Sequence, residues 1–169
     1  MISLTIQNSA ALIISSIGAF YDFRFRRVPN WLSFGTFISA LTLSISTLKM
    51  ATILNCIFGF LVGVLLLLVP YLLGGMGACD VKLLGALGSI VGYKNIILIF
   101  IYSTLAGFLL GLVWIISKPE RVSFLITTGK VLPAVDKKEK IPYAIAILLG
   151  AVFYVMYGKV SFLGIDRWL

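Results

Sequence analysis

Residues 51–82 read ATILNCIFGFLVGVLLLLVPYLLGGMGACDVK, a long apolar run that ends in glycines and then meets the carboxylate of Asp80. No charged side chain occurs from residue 50 to residue 79. A helix needs about 20 apolar residues to cross the hydrocarbon core of a bilayer. Because lipid offers no partner to an open backbone, a helix is the expected form. The stretch predicts a membrane span near 51–73, followed by an acidic group close to the membrane.

The rest of the chain has the composition of an integral membrane protein. Of its 169 residues, 60% are hydrophobic, and the mean hydropathy is +1.09; soluble domains are about 45–50% apolar. Spans are predicted near 3–21, 30–48, 51–73, 95–117 and 142–159, with a weaker sixth candidate at 75–93. That sixth span is rich in Gly and Ala and should pack inside the bundle, because small residues let helices approach closely. We predict an all-α, polytopic membrane protein with about six transmembrane helices, in which residues 1–169 form a single domain.

Basic residues concentrate on one side of this predicted topology. Loops 22–29, 74–82 and 118–141 hold ten of the Lys and Arg residues, and the other side holds four. The positive-inside rule then places these loops in the cytoplasm and both termini outside. Loop 118–141 either lies in the membrane interface as an amphipathic segment or is an ordinary tether.

Several classes of function are excluded by the residues that the chain contains. It has no histidine, which excludes Ser-His and Cys-His catalysis and histidine-bound metals. Its two cysteines, Cys56 and Cys79, are too few for a multi-cysteine zinc site. The net charge of +8 arises from short loops rather than from a basic stripe on a soluble face, so no nucleic-acid partner is predicted. No metal site and no cofactor are expected.

Two aspartates are the candidate catalytic residues. Asp22 and Asp80 follow apolar runs and fall on the same predicted face, a coincidence that was not used to assign the spans. Ionisable residues inside membrane segments mark functional sites by default. Two carboxylates held about 3 Å apart share a proton, so one can activate water while the other donates to a carbonyl oxygen. This is the chemistry of an aspartic peptidase, and it needs no His, Cys or metal.

The neighbours of the aspartates allow more than one interpretation. Gly75 and Gly77 lack side chains and would let a substrate strand or another helix approach the backbone, or they mark only a loosely wound helix start. Pro29 pre-sets the entry of the second span. Lys82 most simply obeys the positive-inside rule, although it could also bind lipid phosphate or orient a substrate.

Three stretches of the chain together resemble the motifs of the type IV prepilin peptidases, which are GxGD aspartic peptidases. Residues 22–30 (DFRFRRVPN) resemble the first motif of that family. Residues 75–83 (GMGACDVKL) resemble the second, a GxGD sequence followed by x-Lys-Leu. Residues 141–144 (IPYA), with Ala146 and Gly150, resemble the last span. The similarity extends over most of the chain in matching order.

The resemblance implies an aspartic endopeptidase, hence a hydrolase, of the bacterial inner membrane that acts in type IV pilus biogenesis. It implies cleavage of the short basic leader of prepilins at the cytoplasmic face, with Asp22 and Asp80 as the catalytic pair. Larger family members carry a four-cysteine cytoplasmic domain and also N-methylate the trimmed pilin. This chain has neither that length nor those cysteines. It resembles the short form that serves tight-adherence (Flp) pili, so no methyltransferase activity is expected.

The expected partners are therefore an Flp-type prepilin and membrane lipid, and the oligomeric state is not predicted. The basic character of the cytoplasmic face also predicts a contact with the substrate. An acidic residue shortly after the cleavage site could pair with Arg24, Arg26 or Arg27.

One position departs from the family pattern. The second glycine of GxGD falls on Cys79. If that position requires a positive φ or close backbone contact, a Cβ is unfavourable and the chain is impaired or inactive; if it is ordinary helix, Cys is tolerated. The alternatives to an aspartic peptidase are a non-catalytic assembly protein and a small proton- or ion-coupled carrier. The alternative to the aspartate mechanism is a Cys79 nucleophile, which no His or other obvious base accompanies.

Overall fold

The computed structural model describes residues 4–25, 27–73, 76–117 and 143–157. Within those ranges the chain forms helices only, which confirms the all-α prediction. The described residues form six helices: α1 (Leu4–Phe25), α2 (Asn30–Ser46), α3 (Met50–Leu72), α4 (Ala78–Val91), α5 (Tyr93–Ile116) and α6 (Tyr143–Tyr157). Arg26, Gly75, loop 118–141 and residues 141–142 of the third motif lie outside the described residues.

Neighbouring helices run in opposite directions. A Cβ built at Gly63 of α3 would lie 2.6 Å from the backbone oxygen of Leu84 in α4, and Gly59 meets Gly88 one turn further along. In the same way, Gly150 of α6 packs on the backbone of Ser103 in α5. Because the contacts advance along one helix as they retreat along the other, each of these pairs is antiparallel.

The centre of the bundle is α4. It contacts every other described helix, and of its residues from Val81 to Val91 only Lys82 is exposed and Ile90 half-buried. The side chains of Leu83, Leu84 and Leu87 are fully buried. The prediction that this glycine-rich segment packs inside the bundle is confirmed, and its glycines explain how helix backbones come into contact there.

Apolar side chains cover the outside of the bundle. By length and hydropathy, α3 and the Tyr93–Val113 part of α5 could each cross a membrane, and α6 is a shorter apolar helix. Only 22% of each of the two longer apolar segments is buried, whereas a core helix of a soluble protein would be mostly buried. Phe58, Leu65 and Leu109 are among many large side chains that are more than half exposed. Lipid is the environment that suits such a surface.

Two predicted boundaries differ from the structure. Loop 22–29 was expected to begin at Asp22, but α1 continues to Phe25 and includes it. Likewise, the predicted loop 74–82 gives way to helix at Ala78, so Asp80 is helical. Hydropathy marks where a helix leaves the hydrocarbon, whereas backbone hydrogen bonding continues past that point. The connection between α1 and α2 ends at Pro29, which caps α2 with an extended backbone (φ −65°, ψ 140°).

Candidate active site

The two aspartates lie at one end of the bundle, in helices that cross in opposite directions. Asp22 lies in the last turn of α1 and is 8% exposed, while Asp80 is the third residue of α4 and is 5% exposed. One turn away from each, Leu83 packs against Gly18, where an added Cβ would lie 2.6 Å from the leucine side chain. The two carboxylates interact electrostatically. The structure thus brings together the pair that the sequence predicted.

A short turn at the start of α4 holds the Asp80 side chain. The backbone N–H of Gly77 donates to Oδ2 of Asp80 at 3.2 Å, and the N–H of Asp80 donates back to the Gly77 oxygen at 3.1 Å. The other carboxylate oxygen, Oδ1, is buried and has no hydrogen-bond partner within the described ranges. Since a carboxylate can accept several hydrogen bonds, Oδ1 is left to interact with a bound molecule.

The conformation of Gly77 does not require glycine. Its φ is −88°, which any residue can adopt, and an added Cβ would lie 3.4 Å from Oδ2 of Asp80, an ordinary contact distance. The absent side chain leaves room beside the carboxylate rather than permitting a special backbone.

Cys79 occupies an ordinary helical position. It is the second residue of α4, and among the described non-glycine residues only Leu48 has a positive φ. The thiol is free and half-buried. The positive φ that would disfavour a Cβ is therefore absent at Cys79, and its backbone is that of an ordinary helix. That the chain is active with Cys79 stays a prediction.

Lys82 points away from the aspartates. It is exposed, and its Nζ donates to Oδ1 of Asn30, the first residue of α2, at 3.0 Å. Pro29 immediately precedes that asparagine, and its oxygen accepts the N–H of Leu32 at 3.1 Å. These residues join the starts of α2 and α4, so their contribution is to hold the end of the bundle together.

The arginines predicted to contact substrate are at the same end. Arg24 and Arg27 are exposed, and the Arg24 guanidinium lies 5.8 Å from the centre of the Phe25 ring. Exposure leaves both side chains accessible from the solvent. Arg26 and Gly75, the remaining predicted site residues, fall outside the described ranges.

Sequence reasoning missed two polar residues. The Ser33 Oγ and the Tyr143 hydroxyl are buried and, like Asp80 Oδ1, form no hydrogen bond of good geometry with the part of the chain that the structure describes. Tyr143 had entered only as part of the last-span pattern, without a role, and Ser33 had not been considered. Position alone could have identified Tyr143, because it lies just after the loop predicted to share the aspartate face.

The segment that carries both aspartates matches a known family. A sequence model described as the type IV leader peptidase family matches residues 9–112, more than half of the chain. The chain belongs to the type IV leader peptidase family. This finding confirms the resemblance drawn from the motifs, and the match covers the chain from α1 to α5.

A curated relative supports the same assignment. The chain is 30% identical over 146 residues to a protein of Bacillus subtilis (strain 168) named prepilin leader peptidase/N-methyltransferase. The alignment covers 84% of this chain but 52% of the relative, so the chain spans about half of that protein's length. No solved structure matches.

Proposed function

We propose that this family member is a membrane aspartic endopeptidase that removes the basic leader of prepilins. The observation that carries the proposal is the pair of buried, electrostatically interacting carboxylates of Asp22 and Asp80. They come from antiparallel helices, and both lie within the segment that matches the family. The name of the relative, which is a prepilin leader peptidase, supplies the substrate class.

The proposed mechanism uses one proton shared by the pair. Two nearby carboxylates in a buried setting do not both ionise readily, so one remains protonated. The ionised carboxylate takes a proton from a water molecule, whose oxygen attacks the carbonyl carbon of the scissile peptide. The protonated carboxyl group donates to the carbonyl oxygen. Collapse of the tetrahedral intermediate then breaks the C–N bond, and the departing nitrogen receives a proton from the pair.

A six-span topology with the aspartate end in the cytoplasm fits this function. The helices alternate in direction, and the starts of α2, α4 and α6 lie at the same end as Asp22. At that end Trp31 is exposed and packs edge-on against Tyr21 at 6.1 Å between ring centres. Aromatic residues of this kind are enriched at membrane–water interfaces. Together with the excess of basic residues in the loops of this side, they favour an active site at the cytoplasmic face of the inner membrane.

The finer part of the proposal concerns the substrate. The resemblance to the short family members favours an Flp-type prepilin and cleavage without methylation. The exposed side chains of Arg24 and Arg27 are available to an acidic residue of the substrate near the cleavage site.

The decisive experiment is co-expression with a candidate Flp prepilin, with cleavage followed by a gel shift. The unaltered chain should convert the precursor, whereas Asp22→Asn and Asp80→Asn should each lose at least about a hundredfold in rate, because each removes an acid–base group. The mass of the mature pilin should equal that of the trimmed chain without an added methyl group.

Folding must be followed in parallel. Both asparagine variants should purify in detergent with the same thermal unfolding as the unaltered protein, since each is close in size to the residue replaced. Full cleavage by either variant would refute the assignment of the pair. A methylated product would refute only the claim that cleavage occurs without methylation.

A further inference from the structure

Three buried polar atoms at the aspartate end have no hydrogen-bond partner among the described residues. They are Ser33 Oγ, Asp80 Oδ1 and the hydroxyl oxygen of Tyr143. Each lies within the first four residues of a helix, in α2, α4 and α6 respectively. Buried polar groups in proteins are nearly always paired, so each exception requires an explanation. Their concentration around the aspartates indicates that a bound molecule supplies the missing partners.

Tyr143 is the member of this group whose surroundings fix its position best. Its ring packs on Gly107 of α5, where an added Cβ would lie 2.7 Å from the ring. Its hydroxyl interacts with the hydroxyls of Ser103 and Thr104, but neither contact has the geometry of a full hydrogen bond. Both of those hydroxyls donate to the Phe100 oxygen, at 2.9 and 2.8 Å, so they are left only to accept from Tyr143. The phenol is therefore held by packing and by these weak contacts, and its O–H is available to a better-placed acceptor.

The same hydroxyl is close enough to Asp80 for the two side chains to interact electrostatically. A phenol can donate one hydrogen bond, and an ionised carboxylate can only accept. A peptide carbonyl placed between Asp80 and Tyr143 would therefore find a donor in the phenol, whichever of the two aspartates carries the shared proton.

We propose that the Tyr143 hydroxyl donates a hydrogen bond to the carbonyl oxygen of the scissile peptide. This inference rests on the proposed function and names a further residue for its site. As water adds to the carbonyl carbon, negative charge develops on that oxygen, and a fixed donor stabilises it most in the transition state. Tyr143 keeps its own proton throughout, because the protonated carboxyl group of the pair supplies the proton that the oxygen receives.

The test compares Tyr143→Phe with Tyr154→Phe in the purified, full-length protein. Tyr154 is also buried on α6, but it lies eleven residues further along, which is about 16 Å from the site end. Tyr143→Phe should lower kcat about a hundredfold, as loss of an oxyanion donor does, with KM little changed. Its thermal unfolding should change little, because the hydroxyl forms no hydrogen bond of good geometry among the described residues. Tyr154→Phe should leave kcat and KM unchanged.

A second variant displaces the phenol without removing it. Gly107→Ala adds a methyl group against the Tyr143 ring and should also lower kcat. The double variant with Tyr143→Phe should be no slower than Tyr143→Phe alone, since the hydroxyl is then already absent.

The possible results separate the two proposals. If the unaltered chain cuts no prepilin, the proposed function fails and this inference fails with it. If the unaltered chain cuts and Tyr143→Phe retains its kcat, only this inference is overturned. A marked fall in the unfolding temperature of Tyr143→Phe would assign the hydroxyl to the fold and would equally overturn it.

Discussion

The two ends of the bundle both bury polar side chains, but they treat them differently. Opposite the aspartates, helices α1 to α4 line a partly open cavity of about 130 Å³. Its polar lining consists of Gln7, Ser39, Ser44, Thr52, Asn55, Cys56 and Ser89. Polarity and burial alone would therefore mark this cavity as a second candidate site.

The hydrogen bonds separate the two ends. At the cavity, Ser44 donates to the Ala40 oxygen at 2.8 Å and Ser89 donates to the Ala86 oxygen at 2.7 Å. The Asn55 side-chain oxygen accepts the Tyr93 N–H at 3.3 Å. At the aspartate end, three buried polar atoms have no such partner. The comparison teaches that a buried polar group indicates a binding site when its hydrogen-bonding capacity is left unused.

The largest predicted loss of stability is at the crossing of α3 and α4, which joins the two ends of the bundle. A Cβ at Gly88 would meet the backbone oxygen of Gly59, and neither helix backbone can rotate away as a side chain could. Gly88→Leu should therefore destabilise the protein by at least about 3 kcal/mol, the upper range for overpacking. Thermal unfolding in detergent and the yield of monodisperse protein measure this effect.

Gly35 provides the matched control for that substitution. It lies in α2, and an added Cβ would meet nothing within 4 Å. Gly35→Leu should be neutral or stabilise the protein by up to about 1 kcal/mol, because leucine favours helix more than glycine does. Normal folding of Gly88→Leu would show that the two ends are not held together by this contact.

The comparison itself is sharpened by removing one hydroxyl from each end. Ser33→Ala deletes an unpaired buried hydroxyl and should raise the free energy of unfolding by about 1 kcal/mol. Ser44→Ala deletes a paired hydroxyl that also lies against the Cys56 thiol and should lower it by up to about 1 kcal/mol. Chemical denaturation in mixed micelles measures the free energy of unfolding of both variants. Equal changes at the two ends would contradict the distinction between them.

The smallest effect is expected at Cys79. Because its backbone is helical, Cys79→Gly should leave cleavage within about twofold and destabilise the start of α4 by less than about 1 kcal/mol. Cys79→Ala separates loss of the thiol from gain of backbone freedom and should behave like the unaltered chain. A large gain in cleavage with Gly, but not with Ala, would show that the substrate complex requires glycine here.

The sequence was sufficient to predict where the helices lie and that Asp22 and Asp80 share one end of the bundle. Apolar runs located five of the six described helices, because a bilayer demands about 20 apolar residues, and the glycine- and alanine-rich segment 75–93 located α4. The basic loops placed Asp22 and Asp80 at one face, and the structure brings these two carboxylates together. The glycine- and alanine-rich composition of segment 75–93 predicted its place inside the bundle, although the pairing of Gly88 with Gly59 requires a register that one sequence does not contain.

The remaining features depend on geometry that is not local to the chain. Hydropathy could not show that Asp22 and Asp80 lie within helices, because a helix can extend beyond the hydrocarbon. The position of Cys79 was undecided because its φ is set by the exact start of α4. The surroundings of the Tyr143 hydroxyl could not be predicted because they depend on residues of another helix, Ser103 and Thr104, whose distance from Tyr143 one sequence does not give.

The shortness of α4 has a consequence for the depth of the active site. With 14 residues it is about 21 Å long, whereas α3 and α5, with 23 and 24 residues, reach about 35 Å. A helix of about 21 Å is shorter than a hydrocarbon core of about 30 Å, so α4 cannot reach both surfaces of such a bilayer. Under the proposed function, hydrolysis beside Asp80, at the start of this short helix, requires water to enter below the level of the lipid headgroups. A substrate peptide would then change from its apolar segment to its polar leader at that depth.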